Sequence, residues 1–567
     1  MENQRLLLYF TLFFIVYLLW AQWKMDYGPA PTPVPQQAVT GAEAPAAAGS
    51  APRTNLPAAE IPAQSSQPEQ MRVQEETGQR IRVITDILDV EIDTHGGDIR
   101  KLVLLDYAKT AENPEVKLAL MADTADNYFI AQSGLVSADA DSAPTHNAIY
   151  TADQDSYQMQ AGSDQLEVAL HWQNQDGVKV TKLFRFHRGE YVIEVDHVIE
   201  AGTRDWSGSP YMQLVRTQPD SGSNKTFTRT YTGGVVYNDA IKYEKVSFDE
   251  IAKADLKDRI GADACLNTNP KSKGCDLQDG WLAMIQHYFL AAWLPDTGKI
   301  NYFYARKPGN GDRYILGTRA PVLKVAAGST ATARSRFIAG PKLQDMLEKI
   351  APGLELTVDY GVLTILAKPL FWLLEFFHRF FGNWGWAIIF LTITVKSVFF
   401  KLSEMSYRSM ARMRKVAPRM KQMKEQYGDD RQAMSKAMME LYKREKINPL
   451  GGCFPILVQM PVFIALYWVL LESVEMRYAP FILWIDNLSA MDPYFILPVI
   501  MGVSMWLQQK LNPAPVDPVQ QKVFQFMPLV FTFMFAFFPS GLVLYWVVNN
   551  ILSITQQWFI TRRIEKA

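Results

Sequence analysis

Val523 to Ile560 reads VFQFMPLVFTFMFAFFPSGLVLYWVVNNILSITQQWFI, 38 residues without one charge. A helix of about 20 apolar residues already spans the hydrocarbon core of a bilayer. A run nearly twice that length, interrupted at Pro539-Ser540-Gly541, therefore divides into two spans, 523–538 and 541–560. Gly451 to Leu471 adds 21 more uncharged residues. No surface helix of a soluble protein carries such stretches, and the averages over 567 residues, 48% hydrophobic and 20% charged, conceal them. The net charge of −1 conceals a second asymmetry: residues 363–567 hold 22 Lys+Arg against 13 Asp+Glu, and the remainder holds 35 against 45. A basic embedded part and an acidic remainder belong in different compartments, which excludes a single soluble domain.

Upstream of that run, further spans read at 493–509, 451–472 and 382–402, and a short tail follows at 561–567. Segment 361–381 is apolar yet carries Lys368, Glu375 and Arg379. At 100° per residue these and Thr364 fall within about 60° of the circumference, the pattern of an interfacial amphipathic helix with Glu375 and Arg379 paired at i,i+4. A surface helix packed on a soluble domain gives the same pattern. Between 403 and 447, Met413, Val416, Met420, Met423 and Tyr427, then Met434, Met438 and Leu441, recur at helical steps on either side of Gly428-Asp429-Asp430, which predicts a helical hairpin. Its methionines suit varied apolar partners or the packing of the hairpin itself. Lys401 to Lys446 carries 13 Lys+Arg against 6 Asp+Glu, whereas Glu472 to Asp492 carries one Arg against four acids. Positive loops stay cytoplasmic. The hairpin and both termini are then inside, where the basic hairpin can meet anionic lipid or ribosomal RNA without sequence-specific recognition.

At the N-terminus, Leu6 to Trp23 is an uncharged run of eighteen residues that ends with bulky Trp20 and Trp23 where a cleavage site needs small residues, so 1–24 reads as an uncleaved transmembrane anchor. Residues 25–78, rich in Pro and Ala, read as a flexible linker. From 79 to 345 the period changes to two: Tyr191, Ile193, Val195, His197 and Ile199 share one face, and Glu194, Asp196 and Glu200 the other, after a turn at His187-Arg188-Gly189-Glu190. Similar runs at Leu166–Trp172, Ile300–Tyr304 and Arg334–Ile338 predict a large extracytoplasmic β-sandwich, with one of its few helices at Phe248–Arg259. Sandwiches of this kind often bind sugars, yet His95, His146, His171, His187, His197 and His287 are scattered, and His197 reads as a hydrogen-bonded core residue. Cys265 and Cys275 are spaced so that a disulfide is open to them, but the sequence does not decide it. No CxxC, HExxH or comparable ligand spacing occurs, so neither a metal nor a cofactor is expected.

Lys396 is the one charge within the 382–402 span. It lies fourteen residues beyond Gly382, about 21 Å along a helix. An intramembrane cation costs about 2.5–3.5 kcal/mol on insertion scales and commonly faces a cavity or a partner. The spans hold no Asp or Glu to pair with it; Thr392, Gln459, Gln508, Gln525, Thr532, Asn549, Asn550 and Gln556 offer a polar lining. The alternative is snorkelling toward Lys401 and the headgroups.

Gly382-Asn383-Trp384-Gly385, Asn448-Pro449-Leu450-Gly451-Gly452-Cys453-Phe454-Pro455, Gln459-Met460-Pro461 and Phe538-Pro539-Ser540-Gly541-Leu542-Val543-Leu544-Tyr545 together resemble the YidC/Oxa/Alb family of membrane protein insertases, in its Gram-negative form. The resemblance implies six transmembrane helices, five of them an insertase core, and a mutarotase-like periplasmic β-supersandwich without catalysis. It also implies a hydrophilic groove open to cytoplasm and lipid, with a positive residue where Lys396 stands. The groove residues are then Lys396, Thr392, Gln459, Gln508, Asn549, Tyr545 and Trp546. This sequence departs from the usual pattern twice: Lys396 replaces the common Arg, losing a bidentate contact, and Trp546 replaces a common Tyr, losing a hydroxyl. The implied partners are nascent integral membrane proteins, the Sec translocon, the ribosome or a ribosome–nascent chain complex through the cytoplasmic loops, and membrane lipids, all at the inner membrane of a bacterial cell.

Rival functions find less in the residues. A polytopic transporter predicts internal repeats or paired intramembrane acids, and neither occurs. An intramembrane protease needs a nucleophile with a base, but no His follows His378. A cell-envelope sugar-binding or sugar-modifying protein rests on the β-domain alone.

Overall fold

The computed structural model describes residues 78–566, apart from 220–229, 268, 270, 310, 428–429, 446–453 and 513–517. The expected anchor and all but the last residue of the expected linker lie outside the described residues. The described chain divides into a β unit, which runs to Asp359 and takes in Glu472–Glu475, and a helical unit, Tyr360–Leu471 and Met476 onward.

The β unit is a two-sheet sandwich of eleven and ten strands. The period of two explains its packing. On the strand Val192–Glu200, Ile193, Val195, His197 and Ile199 are buried, and the strand pairs antiparallel with Lys179–His187 through the turn at Arg188-Gly189-Glu190. On its other face Asp196 is buried beneath Arg185, whose guanidinium also reaches Glu194 and Glu167. The helix expected over Phe248–Arg259 is two: α1, Phe248–Lys253, and α2, Leu256–Ile260. Ser247 and Glu250 form a capping box on α1, Ala254 turns left-handed (φ 53°), and Asp255 caps α2. A side chain that can cap ends one helix and starts the next. A third helix, α3, spans Gln344–Ile350. Cys265 and Cys275 are joined by a disulfide, which settles the pairing that spacing left open.

A polar chain runs across the buried part of the eleven-stranded sheet. Gln132 Nε2 donates to Asp98 Oδ2 at 2.7 Å, Gln213 Nε2 to Gln132 Oε1 at 2.8 Å, and the Tyr304 hydroxyl to Gln213 Oε1 at 2.9 Å. Lys182 is buried and donates to the Gly96 and Ser133 carbonyls. Burial pushes Asp98 up to about 6 and Lys182 down to about 8. Burial also pushes His146 down to about 4 and holds His197 well below the usual histidine range. His197 is buried as expected, and among the described residues its Nε2 has no hydrogen-bond partner.

The helical unit begins with α4, Thr364–Phe381, which packs Ala367, Phe371 and Leu374 inward against α5, Trp384–Val398. Ile365, Trp372, Phe376 and Phe380 form an exposed apolar ridge, and Glu375 pairs with Arg379 at 3.0 Å. Asn383 caps α5 and holds the Pro480 and Phe481 carbonyls through its amide. The span expected through residue 402 stops at Val398, where α6, Phe400–Tyr427, departs at 67°. Hydroxyls of Thr392, Thr394 and Ser397 all bond back to carbonyls four residues earlier, an arrangement that weakens and bends helices. α6 and α7, Arg431–Arg444, pack as a hairpin around Val416, Met420 and Leu441, with Met413, Met423 and Met438 against them. Then follow α8, Phe454–Glu472; α9, Ile496–Leu511; α10, Pro518–Phe535; and α11, Ser540–Lys566. α11 continues through the segment expected as a separate tail. Among the described residues no single helix is long and apolar enough to cross a membrane; α5 with the first part of α6 meets that length and composition only together, as a bent pair.

Side-chain pairs set the helix directions. Ser504 meets Asn550, and the Leu511 carbonyl meets Gln557, so α9 and α11 run parallel. α5 runs the same way, since Ile388 lies beside Gly541 and Lys396 beside Ser553. α8 runs opposite, Gln459 meeting Asn549 and Tyr467 meeting Phe538. One end of the bundle thereby gathers Lys401, Lys510, Lys522, Arg562 and Arg563, and the other gathers Asp486 and Asp492. At the acidic end the bundle is tied by backbone contacts: Ser540 reaches the Asn487 and Ala490 carbonyls, and the Gly541 N–H that of Leu488.

Two outcomes follow from the β unit. Cys275→Ser is expected to lower its stability by about 3 kcal/mol, the loop-closure value for so short a ring, read as an earlier urea midpoint for loss of exchange protection. The folded pKa of His197 and of His146 lies below the unfolded value of about 6.5. The native state then binds fewer protons than the unfolded chain, and stability falls as pH drops through that value. Asp98, shifted upward, acts in the opposite sense between about 6 and its unfolded value of about 3.9. His197→Leu is therefore expected to shrink the loss of exchange protection between pH 7 and pH 5; an unchanged loss removes His197 from the acid response.

Candidate functional site

Four side chains from three helices meet around one buried cation. Lys396, on α5, is 6% exposed, and its ammonium donates to Ser553 Oγ on α11 at 2.7 Å and to Gln459 Oε1 on α8 at 3.4 Å. Gln459 Nε2 bonds the side-chain oxygen of Asn549, and the Ser553 hydroxyl donates to the Asn549 carbonyl at 2.7 Å. Asn549 and Ser553 are four apart on α11, so helical geometry puts them on one face, one turn from each other. Asn550 and Gln557, seven apart, form a second polar stripe turned to α9, where they meet Ser504 and Asn512. α11 thus joins its neighbours through polar side chains, the choice open to helices that cannot gain from excluding water.

Among the described residues no carboxylate lies within ion-pairing distance of Lys396. Two neutral acceptors serve two of the three ammonium donors, and a small pocket with room for about one water, lined by Val395, Lys396, Phe399, Leu402, Ser403 and Gln459, adjoins the side chain. The side chain turns to α8 and α11 and not toward Lys401, so snorkelling along its own helix is not the arrangement seen. Tyr407, from α6, brings its phenol next to Ser553.

The other sequence-predicted residues divide. Thr392 is buried one turn before Lys396, but its hydroxyl is spent on the Ile388 carbonyl at 2.6 Å. Tyr545 is buried with its ring 6.1 Å from that of Phe463, and Trp546 packs edge-on to Phe463 at 4.5 Å and beside Phe535 at 5.5 Å. Both rings are packed into the bundle about one turn before Asn549. Gln508 is half-buried on α9, where Ser504 is the residue that bonds α11. Ser553 is the residue that the sequence reading missed. A lone serine among Ile, Leu and Thr carries no signal by itself; the i,i+4 step from Asn549 is the clue that could have found it.

The family described as YidC periplasmic domain matches residues 80–373, and the family described as 60Kd inner membrane protein matches residues 376–567. The chain is 51% identical to the membrane protein insertase YidC of Methylococcus capsulatus, over all of this chain and 99% of that one, and 49% identical to that of Thioalkalivibrio sulfidiphilus over the same shares. A crystal structure of an active YidC insertase with its first transmembrane domain resolved overlaps 84% of this chain and 92% of its own, at 18% identity and a TM-score of 0.37. Matched from end to end by these relatives and across both units by the two families, the chain belongs to the YidC family of membrane protein insertases.

Proposed function

We propose that this protein inserts integral membrane proteins into the bacterial inner membrane and helps them fold, without covalent chemistry, through a polar groove centred on Lys396. The observation that carries this reading is a buried cation held by neutral acceptors and faced, among the described residues, by no acid. A fixed positive charge in that setting attracts an acidic or polar segment passing through, because a carboxylate at the centre of a span costs about 2.5–3.5 kcal/mol on insertion scales and pairing offsets part of that cost. Gln459, Asn549 and Ser553 supply hydrogen-bonding partners that lipid lacks. The driving free energy comes from burying the client's own apolar segment, at about 25 cal/mol for each Å² removed from water.

The basic end of the bundle faces the cytoplasm in this reading, and the acidic end, tied by Ser540 and Gly541, closes the outer side. Six spans result: the anchor at 1–24, α5, α8, α9, α10 and α11, with both termini inside and the β unit in the periplasm. The exposed ridge of α4 lies in the lipid interface, its apolar side chains among the acyl chains. Nascent membrane proteins are the clients, received from the ribosome at the basic hairpin α6–α7 or handed on beside the Sec translocon. Thr392, Gln508, Tyr545 and Trp546 shape the walls of the route.

Reconstitution with a single-span client bearing an acidic outer segment tests the reading by protease protection. Lys396→Ala is expected to lower insertion about tenfold, the factor carried by about 1.4 kcal/mol, and Lys396→Arg to retain it. Equal insertion by all three proteins removes the charge from the mechanism.

A further inference from the structure

We propose that Ser553, oriented by Asn549, is the positioning residue that holds the Lys396 ammonium at the pocket as a full, unneutralised positive charge. The proposal rests on the reading of Lys396 as the groove's working charge. A hydroxyl has one hydrogen and two lone pairs. The Lys396 ammonium has no lone pair, so the Ser553 oxygen accepts from it at 2.7 Å, while the Ser553 hydroxyl donates to the Asn549 backbone carbonyl at 2.7 Å beside the Tyr407 phenol. Gln459 is set the same way: its amide nitrogen is engaged by the Asn549 side chain, which turns its carbonyl oxygen to the ammonium at 3.4 Å. One asparagine therefore aims two neutral acceptors at one cation.

The chemistry of these acceptors matters more than their number. A carboxylate in either place would hold the ammonium as firmly and cancel its charge, leaving nothing for a client. Unattended, a flexible four-carbon stem would wander to the headgroups. Ser553 and Gln459 hold the position and leave the charge. Because a lysine has no fork to fix its direction, this site depends on such aiming more than an arginine site does. The class of client favoured is one whose translocated segment carries Asp or Glu.

The test is a double-mutant cycle in the reconstituted full chain, scored as the ratio of insertion of an acidic-segment client to that of the same client with the acids changed to their amides. Ser553→Ala is expected to lower this ratio roughly 5-fold, the factor that a typical net hydrogen bond carries, and Ser553→Thr to restore it. In the Lys396→Ala background Ser553→Ala is expected to change the ratio no further, which is the signature of a residue acting through the lysine. Ser553→Asp, which supplies the neutralising carboxylate, is expected to lower the ratio as far as Lys396→Ala does. A Ser553→Ala ratio equal to wild type, or a further fall in the Lys396→Ala background, overturns the positioning role while Lys396 keeps its own. A Lys396→Ala ratio equal to wild type overturns the underlying reading, and this role with it.

Discussion

The helical unit is organised around a cation that it cannot leave in hydrocarbon. Among the described residues Lys396 has no acid to pair with, and moving an unpaired ammonium into a low-dielectric interior is among the costliest single steps a fold can take. The bundle meets that cost with neutral dipoles from two other helices, Ser553 and Asn549 on α11 and Gln459 on α8. Meeting it in this way requires α5, α8 and α11 to come together at one level, which constrains their mutual register. The same economy appears at Ser504 and Asn550 between α9 and α11. Polar side chains do the joining in a bundle whose outer faces, with Phe526, Leu529 and Phe533 exposed on α10, suit lipid more than water.

The β unit solves a related problem by other means. Asp98, Lys182, Gln132, Gln213 and Tyr304 are buried, yet each makes hydrogen bonds within the sandwich, and charge is spread over Asp98, Arg100 and Lys182. Buried titratable groups of this kind make stability depend on pH in opposing directions, His146 and His197 against Asp98.

Much of this was legible from residue patterns because the patterns reflect strong, local physics. Alternation along Tyr191–Ile199 sorts side chains between two faces of a sheet, and the sandwich follows. The methionine steps around Gly428-Asp429-Asp430 are those of two helices, and they pack as such. Where the reading slipped, a short-range competitor was responsible. Asp255 could cap a second helix and did, splitting Phe248–Arg259. Three hydroxyls bonding back along α5 accompany its early end at Val398. The aromatic neighbours of Trp546, Phe463 and Phe535, are contacts that no spacing announces.

The sequence by itself determined that this chain has an embedded basic part, an acidic remainder and a single charge, Lys396, within its 382–402 stretch, because charge-free length, charge asymmetry and periodicity are properties of a string. Only the tertiary structure decided what that charge touches. Ser553 lies 157 residues from Lys396, and nothing in the string distinguishes it from other serines until α11 is laid beside α5. The disulfide is of the same kind, since Cys265 and Cys275 needed the backbone to bring their Cα atoms within 5.1 Å before a bond could form. Contacts between distant residues depend on how helices and sheets stack, and stacking is the summed result of many weak preferences that no single stretch contains.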